Sequence, residues 1–372
     1  MSNPVVNDRL ESFIKVSFFV GLAAAAAGAA GFFLQPEHFW HAYLTGFVFI
    51  AGITLGCLGL QLLHGLTTGG WGHVIRKYAE AATRTFPILF LFFVPVLLNL
   101  QKIYPWVEET AKDPVLMKKA LYLNVTGFRV RAVVFFLVWM FLSALIHKKC
   151  RELAGSDDET RTRLQLVCGL GMLAFVFSAT FAAFDWSMSL TPHWFSTMFG
   201  IMTIIGQTLA AIAFLILISG FSVPEGSPAE KDRKTVQGYH DLGNLALAFV
   251  MLWAYTNFAQ FFIIWSANLP EEIAYFLPRY RNGWMILGLG LILIHFFIPF
   301  FLLLNRIIKK SVRLLSRVAI WVLLVRFADV VWTTVPTFAP SLFQISWVYF
   351  ALPLALAGLW MAAFGFMLRR AS

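Results

Sequence analysis

The sequence predicts an all-α, polytopic membrane protein with ten transmembrane helices. Hydrophobic residues make up 59 % of the 372 residues and charged residues only 13 %, whereas about 25 % of residues are charged in an average soluble domain. The apolar residues also fall into ten segments of roughly membrane-spanning length. These segments are residues 16–34, 42–63, 86–101, 127–147, 164–184, 195–220, 242–265, 284–305, 318–334 and 345–368. We therefore interpret residues 1–372 as one integral membrane domain.

The seventh segment gives the clearest evidence for a spanning helix. His240 and Asp241 open an apolar run that reaches Trp265 without any Lys, Arg, Asp or Glu. Its roughly 25 positions span about 37 Å as an α-helix, enough to cross a bilayer with some tilt. Asp241 lies where an N-cap is expected, with its carboxylate accepting hydrogen bonds from free amides of the first turn.

Polar residues within this segment predict which of its faces packs against protein. Trp253, Asn257 and Gln260 share one helical face, because residues three and four apart lie above one another. Amide side chains in hydrocarbon are costly unless they are hydrogen-bonded. We therefore expect this face to contact neighbouring helices instead of lipid.

The distribution of positive charge predicts the orientation. An even number of spans places both termini on one side of the membrane. Most of the 29 lysines and arginines lie at the two termini and in the loops after spans 2, 4, 6 and 8. The positive-inside rule then makes the N- and C-termini cytoplasmic. The net charge of +10 is accounted for by these loops, and we expect no nucleic-acid partner.

The loop after the second span, residues 64–85, predicts a cytoplasmic interfacial segment. It contains a glycine pair followed by a stretch that mixes charged with apolar residues. Such a pattern is typical of a short amphipathic helix lying in the membrane interface. Trp71 is the expected interfacial anchor.

A weak internal repeat suggests two four-helix bundles. Three spans end in a similar Trp-Ser/Thr…Pro motif: Asp185-Trp186-Ser187…Pro192, Trp265-Ser266…Pro270 and Trp332-Thr333…Pro336. The repeat predicts one unit of helices 2–5 (42–184) and a second of helices 6–9 (195–334), flanked by helices 1 and 10. The alternative is that such motifs simply recur where helices leave the outer interface, because Trp is enriched there.

The ninth segment contains the most costly residues of the chain, Arg326 and Asp329. They share one helical face and lie roughly 13 and 18 Å from Arg317 along the helix axis. His295 in the eighth segment reaches a similar depth, so contact with the pair is expected. Ionisable residues at mid-membrane suggest a proton or ion path. The alternative is a closed ion pair that only fixes helix packing.

Other polar residues extend this group into a hypothetical proton path. The outer and central candidates are Asp185, Asn257, Gln260, His295, Arg326 and Asp329, and the inner candidates are His64, Glu80, His240 and Asp241. Groups that titrate or hold water could carry protons across the membrane in this order. A set of unconnected interhelical hydrogen bonds would give the same pattern.

The sequence predicts no metal or haem in this chain. Its three cysteines include no Cys-x-x-Cys or haem-attachment motif. Only His295 lies deep in a span, whereas a membrane b-type haem usually has two facing histidines. Glu37, His38 and His41 have metal-like spacing but are too few to form a site. No catalytic residue is recognised.

Three stretches of the chain resemble one membrane-protein family. They are GGWGHVIRKYAEA (69–81), FDWSMSLTPHWFSTMFG (184–200) and HDLGNLALAFVMLWAYTNFAQFFIIWSANLPEE (240–272). They are similar to the F subunits of bacterial alternative complex III, which belong to the polysulfide-reductase (NrfD-like) family. The resemblance covers most of the chain, and it implies ten helices in two four-helix bundles in the bacterial cytoplasmic (inner) membrane.

The resemblance also implies a function in a larger complex. Such complexes oxidise quinol, for example menaquinol, and pass electrons to a periplasmic cytochrome c or another acceptor. It implies that iron–sulfur clusters and c-type haems lie on periplasmic partner subunits, and that a homologous membrane subunit binds quinol. The F subunit itself would be structural and proton-translocating. The outer loop 268–283, with Glu271, Glu272, Arg279 and Arg281, is a candidate docking surface; an ordinary solvated loop is the alternative.

Two other functions compete with this interpretation. An independent secondary transporter would bind its solute between the two repeats, usually where helices are interrupted. Segments seven and nine carry no such interruption. A quinone-binding membrane anchor subunit is the second alternative. Copurification of haem and iron–sulfur subunits would favour a subunit of a quinol-oxidising complex, and a homogeneous active carrier would favour the transporter.

Overall fold

The computed structural model describes residues 8–67, 69–110, 113–152, 158–224, 226–339 and 341–370, and in these ranges it contains helices but no β-strand. Side chains are described for the same residues except 149–152, 158–161 and 229. The principal helices are α1 (Asp8–Leu34), α2 (Pro36–Thr67), α3 (Gly72–Thr83), α4 (Phe86–Leu98), α5 (Val125–Glu152), α6 (Asp158–Trp186), α7 (Met198–Phe221), α8 (Arg233–Ala267), α9 (Trp284–Leu291), α10 (Ile298–Leu304), α11 (Val312–Thr334) and α12 (Val348–Arg370).

Shorter elements connect these helices. Short α-helices lie at Trp106–Glu109, Pro114–Lys119, Pro228–Lys231, Pro270–Ile273 and Arg306–Lys310. Single 3-10 turns lie at Leu100–Lys102, Met188–Leu190, Pro278–Tyr280 and Leu342–Gln344. A π-helical turn, Ile292–Phe297, joins α9 to α10 without a break in the chain. By contrast, α8 and α11 run uninterrupted from end to end.

The predicted all-α, polytopic membrane architecture is confirmed. Among the described residues, eight helices are long and apolar enough to cross a membrane, with α9, the π turn and α10 counted as one. A ninth span results if α3 and α4, which meet at a 44° bend, form a single crossing. The 23-residue α11 is not among these eight helices. It is long enough, but Arg326 and Asp329 make it less apolar.

Contacts near the ends of the helices define the two ends of the helical bundle. At one end, Glu230 pairs with Arg313, and Glu11 pairs with Arg369. We call this the basic end, because it carries the Lys/Arg-rich connections. At the opposite, far end, Thr191 contacts Thr337.

Helices α2 and α7 lie at the centre of the bundle. In the apolar part of these two helices, 78 % and 72 % of the residues are buried. The corresponding share is 17–56 % in the other candidate spans. They cross where Gly52 and Gly56 of α2 face Gln207 of α7. A Cβ at Gly56 would lie only 2.2 Å from the Gln207 carbonyl oxygen. Small residues four apart allow such close backbone contact, as in other membrane helices.

The first and last helices pack against each other at one side of the centre. A Cβ at Gly21 of α1 would lie 2.6 Å from the Gly358 Cα of α12. The two helices are therefore in backbone contact at this crossing. Nearer the basic end, Ile14 of α1 packs beside Gly365 of α12.

The predicted N-cap of the seventh helix, Asp241, is wrong by more than two turns. Helix α8 begins at Arg233, and Asp232 is its N-cap, accepting a hydrogen bond from the Thr235 amide at 3.0 Å. That hydrogen bond lowers the pKa of the Asp232 carboxyl. Asp241 instead lies inside the helix, where it accepts a hydrogen bond from Gln237 at 2.7 Å. The apolar pattern marks only the membrane-spanning part, whereas the helix extends beyond it at the basic end.

Within the segment 64–85, α3 is amphipathic. Ile75 and Tyr78 are buried, whereas Arg76 and Lys77 on the other face are exposed. Trp71 does not project into the interface as expected. Its ring is buried and contacts the edge of the His64 ring, with 5.1 Å between centroids.

We expect one added methyl group at the α2–α7 crossing to destabilise the protein. Gly56→Ala should lower the free energy of unfolding by about 1–3 kcal/mol, because the new Cβ overlaps backbone that has no room to move. Gly290→Ala is the matched control, since nothing lies within 4 Å of its Cβ. Thermal unfolding in detergent measures both. Equal melting temperatures for the two variants would contradict this packing.

Candidate functional site

An ion pair lies near the middle of α11. Arg326 and Asp329, three residues apart, face each other through guanidinium Nη1 and carboxylate Oδ2. The two residues are only 8 % and 4 % exposed. Because they lie on the inward face of α11, both charges are enclosed by neighbouring helices. Arg326 and Asp329 therefore share one face of the helix, as predicted.

Helix α7 supplies the space and an acceptor for the arginine. Arg326 Nε donates to the Gly206 carbonyl oxygen at 3.0 Å. A Cβ at Gly206 would lie 2.4 Å from the guanidinium carbon. A glycine at this position thus allows the charged group to lie against the α7 backbone.

Helix α8 supplies a donor for the carboxylate. Trp253 Nε1 donates to Asp329 Oδ2 at 3.0 Å. The Trp253 ring also contacts the edge of the His295 ring, with 4.0 Å between centroids. The expected proximity of His295 to the ion pair is therefore mediated by Trp253.

His295 lies in the π-helical turn Ile292–Phe297 and is fully buried. Neither of its ring nitrogens has a hydrogen-bond partner within the part of the chain that the structure describes. π-helical turns inside α-helices are frequently found at functional sites. The amino-acid pattern gives no signal for this turn, because its residues are as apolar as those of an ordinary membrane helix.

A cavity of about 650 Å³ lies beside the ion pair, between α7, α8, α9 and α11. Its walls are mainly aromatic and aliphatic, and its polar lining includes Asn257, Gln260, Arg326, Asp329 and Thr333. Both its size and its mostly apolar lining are typical of small-molecule sites. The structure therefore brings four of the predicted proton-path residues, Asn257, Gln260, Arg326 and Asp329, to one space.

The amide residues of α8 face this cavity, and the predicted contact of this face with other parts of the protein is observed for Gln260. Gln260 is buried and its Oε1 accepts a hydrogen bond from Ser196 at 2.7 Å. Asn257 donates to the Trp253 carbonyl oxygen at 2.8 Å. Both amides lie between the ion pair and the far end of the bundle.

The cavity opens sideways between α8 and α9. Helix α8 packs along α10 and the π turn but makes little contact with α9. The lining residues Tyr255 and Phe258 of α8 are 69 % and 64 % exposed, and Leu289 of α9 is 57 % exposed. These apolar side chains lie on the perimeter of the bundle. In a bilayer, the opening would therefore face lipid chains.

The loop 268–283 covers the far end of the cavity, and its predicted docking residues are only partly exposed. Glu271 and Arg281 are exposed, and Glu272 is half-buried. Arg279 is buried, so its predicted role in surface docking is wrong. Its guanidinium donates to the Trp332 and Thr333 carbonyl oxygens at 3.2 and 2.6 Å.

Arg279 instead fastens this loop to the end of α11. Its guanidinium carbon lies 3.6 Å from the Tyr275 ring centroid. Burial lowers the pKa of the Arg279 side chain. Sequence position alone placed Arg279 among solvated loop residues, since loops are usually exposed.

Asp185 does not belong to this cavity. It is 1 % exposed and bound by Arg131 of α5 through two hydrogen bonds of 2.8 and 3.0 Å. The Arg131 guanidinium also stacks 3.9 Å from the Tyr122 ring centroid. The predicted path from Asp185 to Asp329 is therefore interrupted by an ion pair. Arg131, which the sequence analysis missed, is half-buried and could have been identified as a cation near the start of the fourth span.

The inner candidates lie at the basic end in two places. His64 and Glu80 line a second pocket of about 170 Å³. His240 and Asp241 lie outside this pocket on α8, with 3.5 Å between His240 Nδ1 and Asp241 Oδ1. The four residues therefore do not form one cluster.

No group of three or more His, Cys, Asp or Glu side chains is arranged to hold a metal ion in the described ranges. No protein-family model matches the chain, and no curated protein matches it significantly. The functional interpretation therefore depends on the geometry of the site and on the resemblance of the three stretches quoted above.

We expect Arg131 and Asp185 to be strongly coupled in their contributions to stability. Arg131→Met should lower the free energy of unfolding by about 3–5 kcal/mol, because Asp185 would remain as an unpaired buried charge. Adding Asp185→Asn should restore much of this loss, since an amide carries no charge. Chemical unfolding of the single and double variants gives the coupling energy. Additive effects would contradict a structural ion pair.

Proposed function

We propose that this chain is a cofactor-free membrane subunit of a quinol:cytochrome c (or other periplasmic acceptor) oxidoreductase, and that it moves protons through its second four-helix unit. The observation that supports proton movement is the enclosed Arg326–Asp329 pair at the side of the cavity. A carboxylate deep in a span is costly, and such residues commonly take part in proton relays. The resemblance of the three quoted stretches to the F subunits of alternative complex III supports the identity of the proposed complex.

The proposed topology has ten spans with both termini cytoplasmic. It adds α11 to the apolar helices and counts α3 and α4 as one crossing. The charges of α11 are compatible with a span because Gly206 and Trp253 satisfy them inside the protein. The first unit comprises residues 42–184 and the second residues 195–334. The basic end is then the cytoplasmic side.

The proposed proton route runs between the cavity and the cytoplasm. Gln260 and Asn257 line the space between the far end and Asp329, where water can be held by their amides. Trp253 lies between the carboxylate and His295, the next titratable group. Because an indole cannot relay a proton, the proposed transfer between them requires an intervening water. His64, Glu80, His240 and Asp241 are the candidates for the cytoplasmic half.

The redox centres of the proposed complex belong to its other subunits. Iron–sulfur clusters and c-type haems would lie on periplasmic partners, and a homologous membrane subunit would bind quinol. Glu271 and Arg281 are the exposed charges of loop 268–283 that remain available for docking. Membrane lipid surrounds the remaining apolar surface.

Substitution of Asp329 tests the proposed function. In the intact complex in proteoliposomes, Asp329→Asn should reduce proton movement per quinol by at least tenfold while quinol oxidation continues. The reason is that an amide preserves the Trp253 hydrogen bond but cannot take up a proton. Glu108→Gln, which makes the same change of charge at an exposed residue outside the cavity and the docking loop, is the control. Unchanged proton movement in Asp329→Asn would show that the pair is structural.

One observation favours a second candidate function, a quinone-binding membrane anchor. Trp194 and Trp332 line the cavity, and their indole N–H groups are buried without a hydrogen-bond partner in the described ranges. A quinone ring would bring carbonyl acceptors to them. Its isoprenoid tail could leave through the opening between α8 and α9.

Trp194 tests this second candidate. Trp194→Phe keeps an aromatic ring in the wall but removes the N–H donor, so binding of a tailed naphthoquinone to the purified chain should weaken about fivefold or more. Quenching of tryptophan fluorescence measures binding, and Trp265→Phe at the exposed helix end corrects for the lost fluorophore. Equal affinities would exclude quinone binding through Trp194.

A further inference from the structure

The connection between α10 and α11 carries an excess of positive charge at the basic end. From residue 306 to residue 317 the chain has five basic residues and no acidic residue. Arg313 of this segment pairs with Glu230. The other four form no ion pair with a carboxylate in the described part of the chain; they are Arg306, Lys309, Lys310 and Arg317. The charge of this surface therefore favours an anion.

Lys309 differs from the other three cations because its side chain is buried. It is 7 % exposed, whereas Arg306, Lys310 and Arg317 are exposed. The aliphatic stem of Lys309 packs against Gly243 of α8, where a Cβ would lie 2.6 Å from Lys309 Cγ. A glycine at this position therefore allows the lysine to lie against the α8 backbone.

Asn244 of α8 holds the ammonium group of Lys309. Lys309 Nζ donates to Asn244 Oδ1 at 2.7 Å, and it forms no other hydrogen bond within the described ranges. An ammonium has three N–H donors, so two of them remain for a ligand. Buried charges in proteins are normally paired, and the amide of Asn244 is neutral. Because Asn244 is exposed, an anion can approach this contact from the surface of the bundle.

The depth of this contact agrees with the level of lipid head groups. Trp253 of α8 binds Asp329 near the middle of α11. From Trp253 to Asn244, α8 rises about 13 Å, which is close to half of an approximately 30 Å hydrocarbon core. The Lys309 ammonium therefore lies near the boundary between acyl chains and phosphates.

An apolar surface runs from this contact towards the middle of the membrane. Asn244 contacts Lys309, and Trp253 contacts His295, so α8 and the segment 295–309 lie side by side and antiparallel. Between these two contacts, six apolar residues of the two elements are at least 40 % exposed: Met251, Leu252, Phe297, Ile298, Phe301 and Leu304. Acyl chains of a lipid would cover this surface while its head group reaches Lys309.

We propose that Lys309 and Asn244 form a binding site for the phosphate of an anionic phospholipid, such as phosphatidylglycerol, in the leaflet at the basic end. The Lys309 ammonium donates to a phosphate oxygen, and Asn244 fixes the position of the ammonium. Arg306 and Lys310 add longer-range attraction that favours anionic over zwitterionic lipid. Basic clusters next to membrane helices bind anionic lipids. The site is separate from the large cavity and does not depend on the proposed redox complex.

Two neighbouring lysines provide a matched test. Lys309→Met keeps an unbranched stem but removes the charge, so binding of phosphatidylglycerol to the full-length purified chain should weaken about fivefold, the loss expected for one basic contact. Lys310→Met removes the same charge from an exposed neighbour, and it should weaken binding by less than about twofold because solvent screens that charge. Native mass spectrometry of the detergent-solubilised chain gives the affinities for phosphatidylglycerol and for phosphatidylcholine with the same acyl chains.

Asn244 tests the fixed position of the ammonium separately. Asn244→Leu changes no charge but releases the Lys309 ammonium, so binding of phosphatidylglycerol should weaken about threefold. Binding of phosphatidylcholine should stay the same. Elution at the wild-type volume on size exclusion shows that each variant is folded.

Several results would overturn the proposal. They are equal affinities for phosphatidylglycerol and phosphatidylcholine, equal losses in Lys309→Met and Lys310→Met, and an unchanged affinity in Asn244→Leu. Displacement of the lipid by millimolar inorganic phosphate or by a glutamate-rich peptide would assign the site to a soluble anion or to a protein partner instead.

Discussion

The free-energy cost of charge in a membrane interior is the constraint on which this structure depends. A guanidinium and a carboxylate in the middle of α11 remain charged only if protein groups replace water around them. Arg326 and Asp329 meet this condition through each other, the Gly206 carbonyl and the Trp253 indole. Helices α7, α8 and α11 are consequently held together at one depth. The adjoining cavity lies where these three helices and α9 separate.

Two ion pairs in the described part of the chain each bury an aspartate, in different surroundings. Arg131 and Asp185 join α5 to α6 through two hydrogen bonds, and Asp185 does not line the large cavity. Arg326 and Asp329 lie on one helix and line the cavity directly. The first pair therefore fixes a helix–helix contact, whereas the second has space in which water or a ligand can approach it. This difference explains why we assign chemistry to the second pair and a structural role to the first.

Periodicity and composition predicted the features that depend on which residues face the apolar membrane and which face the protein interior. The apolar segments anticipated the long helices, and the spacing of Trp253 and Gln260 identified the inward face of α8. Features set by polar partners distant in sequence could not be predicted. The burial of Arg279 depends on carbonyls at the end of α11, and the pairing of Asp185 depends on a different helix. Similarly, the N-cap at Asp232 was missed because the polar first turns of α8 lie outside the apolar run.

The proposed function requires Asp329 to change its protonation state as the complex turns over. Infrared difference spectroscopy between the oxidised and the quinol-reduced complex measures this directly. We expect a carboxyl band that shifts in D₂O and is absent from the Asp329→Asn variant. A difference spectrum that is identical in wild type and variant would mean that the carboxylate stays charged throughout, and would contradict proton movement through this site.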